Sequence, residues 1–270
     1  MGNSVKTGIG LALLTASVTG NATAVEEQAP AVAGAKAVMT TPVSLVRQSP
    51  SPVERTAFQQ ASTYPDDYSF TVYRKGKKIG RHDVEFSREG DSLKVYNDLK
   101  LRVKLLFITA YKLDYESTEI WKNGELVSLS SDINNNGKKL YMGGGLAGDT
   151  FGWETIKEER NSLPQGGEYF PTNHWYSKVV EKTQLLNTLT GNLIDVAITS
   201  EGFETIETES GPLTAERFQY SGALDSVVWY DEYGRWVGLE FKGGDGSTIR
   251  YSCNECTSWS PVTETSATAR

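Results

Sequence analysis

From Leu93 to Phe107 apolar and polar residues alternate. Leu93, Val95, Leu99, Leu101, Val103, Leu105 and Phe107 share one phase, interrupted by Asn97. Lys94, Tyr96, Asp98, Lys100, Arg102 and Lys104 share the other. Side chains along a strand point to opposite faces with period two. The stretch therefore predicts one long strand with an apolar face and a charged face. At about fifteen residues it is far longer than the usual five or six. Long twisted strands belong to curved sheets that roll toward a barrel.

The flanking sequence continues the theme. Tyr68, Phe70 and Val72 alternate with Ser69, Thr71 and Tyr73, and Lys75-Gly76-Lys77 turns the chain into Ile79–Phe86. Tyr111 to Trp121, Leu126 to Ile133 and Lys139 to Met142 follow, divided by Asn123-Gly124 and Asn134-Asn135-Asn136-Gly137. Asn-Gly is a strong two-residue hairpin signal. A second series runs through Leu193–Thr199, Phe203–Thr208, Ala215–Tyr220, Val227–Asp231, Trp236–Phe241 and Thr248–Ser252. Two-residue turns join only antiparallel neighbours. The expected fold class is thus all-β: a strongly curved antiparallel meander sheet, an incomplete or closed barrel, with one short helix. That helix is expected after Asn173, a good cap, with Trp175, Val179 and Lys182 on one side. The Gly143–Gly148 run reads as a flexible hairpin or loop. An aromatic residue before a Gly turn, with an apolar residue three positions after the Gly, recurs at Tyr73–Gly80, Trp121–Val127 and Tyr230–Gly238. Convergent hairpin chemistry accounts for it more simply than duplication.

The ends bound the domain. Residues 1–24 read as a secretory signal peptide: Lys6, a short apolar run from Gly8 to Val18, and Ala22-Thr23-Ala24 as the cleavage site. That run is too short to span a bilayer, so no transmembrane span is expected in the mature chain. Residues 25–63, rich in Ala, Val, Pro, Gln and Ser, read as a disordered tether. Residues 64–256 form the curved-sheet domain and 257–270 a frayed tail. The expected location is periplasmic or secreted. A net charge of -7 without a basic patch argues against nucleic acid as a partner.

Candidate chemistry is sparse. The chain has two histidines, His82 and His174. His174 is the one candidate general base, but no serine elbow or cysteine nucleophile accompanies it. His82, beside Asp83, reads as structural. The acidic pairs Glu116/Glu119 and Glu158/Glu159 are expected on solvated strand faces or loops. Gly143–Gly148 lacks the Lys-Ser/Thr end of a phosphate loop. Cys253 and Cys256 form one C-x-x-C pair. It reads as a short disulfide in an oxidising compartment, with free thiols or a metal pair as alternatives. No metal site and no cofactor are expected. The aromatics Trp121, Trp153, Trp175, Trp229, Tyr230 and Trp236 are core material first. In a sheet that rolls without closing they also line a concave groove, the default place for an apolar ligand.

Phe107-Ile108-Thr109-Ala110-Tyr111, Leu185-Leu186-Asn187-Thr188-Leu189-Thr190-Gly191 and Trp229–Gly238 resemble the motifs of a bacterial family of exported all-β proteins of unknown function, over about Tyr68 to Tyr251. More distantly the domain is similar to half-barrel carriers of the lipoprotein-localisation type, whose curved sheets hold acyl chains. The resemblance supplies no catalytic residue. These readings converge on an exported, non-enzymatic protein that binds a lipid, an acyl chain or an envelope protein. The rivals are a hydrolase using His174 in the same groove and a purely structural assembly module.

Overall fold

The computed structural model describes residues 55–105, 108–155, 160–164 and 169–259. A five-residue helix, α1 (Ala57–Ala61), precedes β1 (Asp67–Arg74), β2 (Lys77–Glu89), β3 (Ser92–Leu105), β4 (Ile108–Lys122), β5 (Glu125–Asn135), β6 (Lys138–Ala147), β7 (Thr150–Thr155) and β8 (Arg160–Pro164). After β9 (Tyr169–Pro171) a 3₁₀ turn covers Ser177–Glu181. Then come β10 (Gln184–Leu186), β11 (Leu193–Thr208), β12 (Gly211–Gly222), β13 (Ser226–Tyr230), β14 (Trp236–Lys242) and β15 (Thr248–Cys253). All fifteen strands form one sheet in the order β8-β7-β6-β5-β4-β3-β2-β1-β15-β14-β13-β12-β11-β10-β9. The chain thus lays down two meanders and joins them where β1 pairs with β15. Neighbours are antiparallel except β9 and β10, which run parallel. With β8 and β9 at its two ends, the hydrogen-bonded sheet is not closed.

The long alternating strand is β3. Leu93, Val95, Leu99, Leu101 and Val103 are buried, whereas Lys94, Lys100 and Lys104 are exposed. Asn97 does not leave the interior face: it is 1% exposed and its amide donates to Ser117 Oγ (3.3 Å). Other polar groups share this phase. His82 falls in step with Val84 and Phe86 on β2. Ser117 and Glu119 fall in step with Tyr115 and Trp121 on β4, and Ser131 with Leu129 and Ile133 on β5. All are buried. The register sets Asn97 against Ser117 and Ser117 against Ser131, so a polar row crosses three strands inside the curve.

The thrice-repeated pattern has a common geometry. Each copy is a hairpin whose register slips at its aromatic: between Val72 and Tyr73, between Ile120 and Trp121, and between Trp229 and Tyr230. A bulge adds twist and bends the strand, so three such hairpins help the sheet curl. Lys75-Gly76 and Asn123-Gly124 have both residues at positive φ, as a tight twisted hairpin requires.

Several expectations need correction. The segment after Asn173 forms only a 3₁₀ turn, Ser177–Glu181, because Asn173 does not cap it but bonds into the core. Gly143 to Ala147 belong to β6, and only Gly148 turns. A Cβ on Gly144 would lie 2.5 Å from Cβ of Trp153, so the glycine admits β7 at close quarters. The packed domain begins before Tyr64. Thr56 caps α1, Ala57 and Ala61 are fully buried, and Gln60 Nε2 donates to the Gly234 carbonyl (2.8 Å). It also runs past Cys256, since Trp259 packs edge-on against Tyr64 and Tyr68. The signal peptide, most of the tether, the tail beyond 259, Phe107 and Glu158/Glu159 lie outside the described residues.

Candidate functional site

The segment from Phe170 to Leu189 crosses the interior face, and its polar groups explain the polar row beneath it. Glu119, fully buried, accepts from Trp121 Nε1 (2.7 Å) and Trp175 Nε1 (2.9 Å) at one oxygen and from Asn173 Nδ2 at the other. Burial pushes its carboxyl pKa up, and the three donors pull it back. Tyr115 Oη donates to Asn173 Oδ1 (3.0 Å) or Thr188 Oγ1 (2.9 Å), and Ser131 Oγ donates to the Thr188 carbonyl (2.6 Å). From the other meander, Tyr230 Oη donates to the His174 carbonyl (3.0 Å), and from the N-terminal segment Tyr64 Oη donates to the Trp175 carbonyl (2.7 Å). At the segment's end Trp153 Nε1 donates to the Gly191 carbonyl (2.8 Å). Gly191 sits at φ 74° with Thr155 where a Cβ would go, so this position demands glycine.

Beside this pinned segment lies a cavity of about 130 Å³. Its walls are Leu99, Leu101, Leu113, Trp236, Leu239, Phe241 and Tyr251 from the sheet, and Thr172, His174 and Leu189 from the crossing segment. Its mouth carries Asp225, Ser226 and Lys242. His82 and His174 both line it, each with its imidazole centroid 5.4 Å from that of the Trp236 indole. Neither ring is well served by protein. His82 Nδ1 and Nε2 and His174 Nδ1 have no hydrogen-bond partner among the described residues. Burial lowers the pKa of His82 to about 4 and that of His174 to about 3, so both imidazoles are neutral at pH 7. Among the described residues Asp225 is the one carboxylate lining the cavity, and it is exposed.

A family model described as a domain of unknown function, DUF6134, matches residues 70–254. The chain belongs to the DUF6134 family. Among solved structures it resembles a beta-barrel-like protein of the domain of unknown function DUF1849 from Brucella abortus. The identity is 13% and the TM-score 0.50, covering 69% of this chain and 94% of that one. That likeness concerns the fold alone. No curated protein matches the chain. Every residue lining the cavity falls within the DUF6134 match.

Within the DUF6134 domain the candidate residues separate clearly. His174 lies in the cavity as a groove base should, but its Nδ1 meets no carboxylate, and Glu119 is committed to Trp121, Trp175 and Asn173. His82 was expected beside Asp83 as a structural group; it is buried and lines the cavity. Glu119 was expected on a solvated face and is interior, while Glu116 is exposed as expected. Of the six aromatics named for a groove, Trp236 alone lines the cavity. Trp121, Trp153 and Trp175 are core, and Trp229 bonds Glu204 on the outer side (2.7 Å). The Trp229–Gly238 motif instead ties structure together. Asp231 accepts from Arg235 Nε (2.6 Å) in a buried pair, and the guanidinium lies over the Tyr233 and Trp259 rings. Cys253 and Cys256 are joined as a disulfide, Cα atoms 5.8 Å apart. Among the described residues no group of three or more His, Cys, Asp or Glu could hold a metal ion, and no helix is long and apolar enough to cross a membrane. Sequence reasoning missed His82 and Glu119. The available signal was phase, since both stand where the alternation requires an apolar residue.

Proposed function

We propose that this DUF6134 domain is an exported, non-enzymatic binding protein that takes a hydrophobic molecule into the cavity between its sheet and the crossing segment. The observation that carries this reading is the cavity itself: apolar walls inside the curve and a polar mouth at Asp225, Ser226 and Lys242. Concave apolar sites with a few convergent polar groups are the usual form of a ligand site. The volume is close to that of engineered apolar cavities of about 150 Å³, which stay dry and admit one aromatic ring. A ring or the end of an alkyl chain fits inside, with the remainder passing the mouth. Each buried methylene contributes about 0.8 kcal/mol, so a chain end binds without polar contacts along its length. The C-x-x-C disulfide and the N-terminal sequence support an oxidising, extracytoplasmic setting.

The test is titration with N-phenyl-1-naphthylamine, which brightens in apolar surroundings. Saturable one-to-one enhancement is expected, weakened at least tenfold in Leu239→Phe, which fills the cavity from β14 at unchanged melting temperature. Non-saturable enhancement, or a signal indifferent to Leu239→Phe, would overturn the reading. The hydrolase alternative gains no support from His174, whose Nδ1 is hydrogen-bonded to neither a carboxylate nor a hydroxyl among the described residues.

A further inference from the structure

We propose that the ligand of this cavity carries an uncharged carbonyl oxygen, and that the Tyr251 hydroxyl and the Asn187 side-chain amide are the donors that select it. The inference rests on the binding reading above and names the chemical class that the site takes.

A cavity for hydrocarbon alone needs only apolar walls. Two wall residues depart from that while keeping a polar atom within reach of the open space. Tyr251 on β15 stands opposite Leu239 of β14, its ring centroid 6.3 Å from that of Phe241 and 6.2 Å from that of Trp236. The residue lines the cavity and is 5% exposed. Its hydroxyl has no hydrogen-bond partner among the described residues, yet it is not one of the polar atoms closed off from solvent, as both ring nitrogens of His82 are. A phenylalanine would fill the same wall. Asn187, also 5% exposed, lines the cavity from the crossing segment. Its N–H donates to the Asn192 carbonyl (2.9 Å), its own carbonyl accepts from Gly191 N (2.8 Å), and its Oδ1 accepts from Leu189 N (2.9 Å). Among the described residues only Nδ2 of its polar atoms is left without a partner, and it too is not closed off. Other polar groups of the inner wall are engaged: Tyr115 with Asn173 and Thr188, and Thr172 with Thr188.

Burying a polar group without a partner is costly, so two such groups on one small cavity call for a common reason. Both offer a hydrogen. Burial pushes the Tyr251 phenol well above its ordinary pKa, so the hydroxyl keeps its proton, and an amide Nδ2 only donates. A carbonyl oxygen accepts from either donor, or from both through its two lone pairs. An alkane would leave both unpaired. A carboxylate would shed its water among apolar walls. The one cation of the lining among the described residues, Lys242, is exposed and donates to Thr248 Oγ1 (2.6 Å), and an isolated buried charge is strongly disfavoured. A ketone or ester on a ring or chain end is therefore the complement. A site built to hydrogen-bond a polar group rejects the analogue lacking it far more strongly than a hydrophobic pocket distinguishes one methylene.

The experiment compares acetophenone, α-methylstyrene (CH₂ in place of the oxygen) and benzoate as competitors of N-phenyl-1-naphthylamine on the intact protein. The infrared carbonyl stretch of bound acetophenone is recorded in parallel. Tyr251→Phe keeps the ring and removes only the hydroxyl. Asn187→Ser removes the amide but keeps an acceptor for Leu189 N–H, since a serine hydroxyl closes the same kind of turn. The expected stretch lies below its value in hexane and rises toward that value in each variant. The ratio of the α-methylstyrene to the acetophenone displacement concentration should fall by about threefold or more in Tyr251→Phe, the worth of one neutral hydrogen bond, at unchanged melting temperature. Acetophenone should displace the probe at a concentration about tenfold or more below that of benzoate. A hexane-like stretch in the unaltered protein, or a stretch and ratio indifferent to both substitutions, would overturn this inference and leave the binding reading intact. Displacement by benzoate at lower concentration than acetophenone would overturn the uncharged assignment. A probe that fails to saturate and that none of the three displaces would overturn the binding reading, and this inference with it.

Discussion

Glu119 on β4 and His82 on β2 both occupy interior positions where the strand pattern requires an apolar residue, yet the fold treats them oppositely. Glu119 receives three N–H donors, two from indoles and one from Asn173, and so fastens the crossing segment to the sheet. His82 lines the cavity, but both its ring nitrogens are buried out of reach of solvent and meet no hydrogen-bond partner of good geometry among the described residues. A buried polar group with all its partners specifies a structure, whereas one without them carries a desolvation cost and fixes no contact. The difference separates the part of the interior that builds the domain from the part that is available for binding.

The largest expected effect comes from deleting the completed cluster. Glu119→Ala leaves Trp121 Nε1, Trp175 Nε1 and Asn173 Nδ2 buried without an acceptor. At about 1–3 kcal/mol for each of the three stranded groups, roughly 3–9 kcal/mol of stability should be lost in urea unfolding. A loss near 1 kcal/mol would mean the cluster does not hold the segment.

Acid should set the two regions against each other. His82 and His174 have folded-state pKa values below the unfolded value of 6.5. Below pH 6.5 the unfolded chain takes up protons that the native imidazoles refuse, so stability falls as pH drops toward about 4. The fall eases as the native rings titrate in turn. The shift from 6.5 to about 4 corresponds to roughly 3 kcal/mol for His82, and the shift to about 3 to roughly 5 kcal/mol for His174. Glu119 acts in the other direction. Its folded pKa is raised, so the native carboxyl holds a proton that the unfolded chain has released, and its contribution improves as pH falls toward 4.5. Stability curves between pH 7 and 4.5 should flatten in His82→Phe. Unchanged curvature would show that the imidazole is solvated.

At pH 7 the same His82→Phe substitution should change little, within about 1 kcal/mol, because an apolar ring replaces a buried polar group that lacks partners. A penalty comparable with that of Glu119→Ala would place His82 among the structural residues after all.

Much of this was legible in the sequence, and the limits have a physical form. Strand period, Asn-Gly turns and the long β3 follow from local chemistry, so the all-β meander and the face of Leu93, Leu99 and Leu101 could be read directly. Of the interior polar positions only Asn97 stood out as an interruption of the apolar phase; Glu119 was expected on a solvated face, and period alone does not reveal which polar group will meet a partner. Trp175 is 56 residues from Glu119, and only the tertiary path of the crossing segment joins them. The helix expected after Asn173 failed for the same reason. A cap residue is a local signal, and the competing claim of Tyr115 on its Oδ1 is not. The packed start of the domain at α1 was hidden because Gln60 and Arg55 find their acceptors on the turn at Tyr233 and Gly234.

The smallest effect tests the face assignment on which the comparison depends. Lys100 lies between Leu99 and Leu101, two wall residues of the cavity, but points outward, where its ammonium pairs with Asp98. An exposed pair of this kind contributes little, because solvent screens the charges and both side chains lose freedom in meeting. Lys100→Ala should therefore shift stability by about 0.5 kcal/mol or less and leave probe binding unchanged. Leu93→Ala, on the same strand but fully buried, should cost about 2–5 kcal/mol. Comparable losses in the two variants would mean that β3 does not present its alternation as one wet and one dry face. The interior positions of Asn97 on β3, His82 on β2 and Glu119 on β4, which share that register, would then have to be reassigned with it.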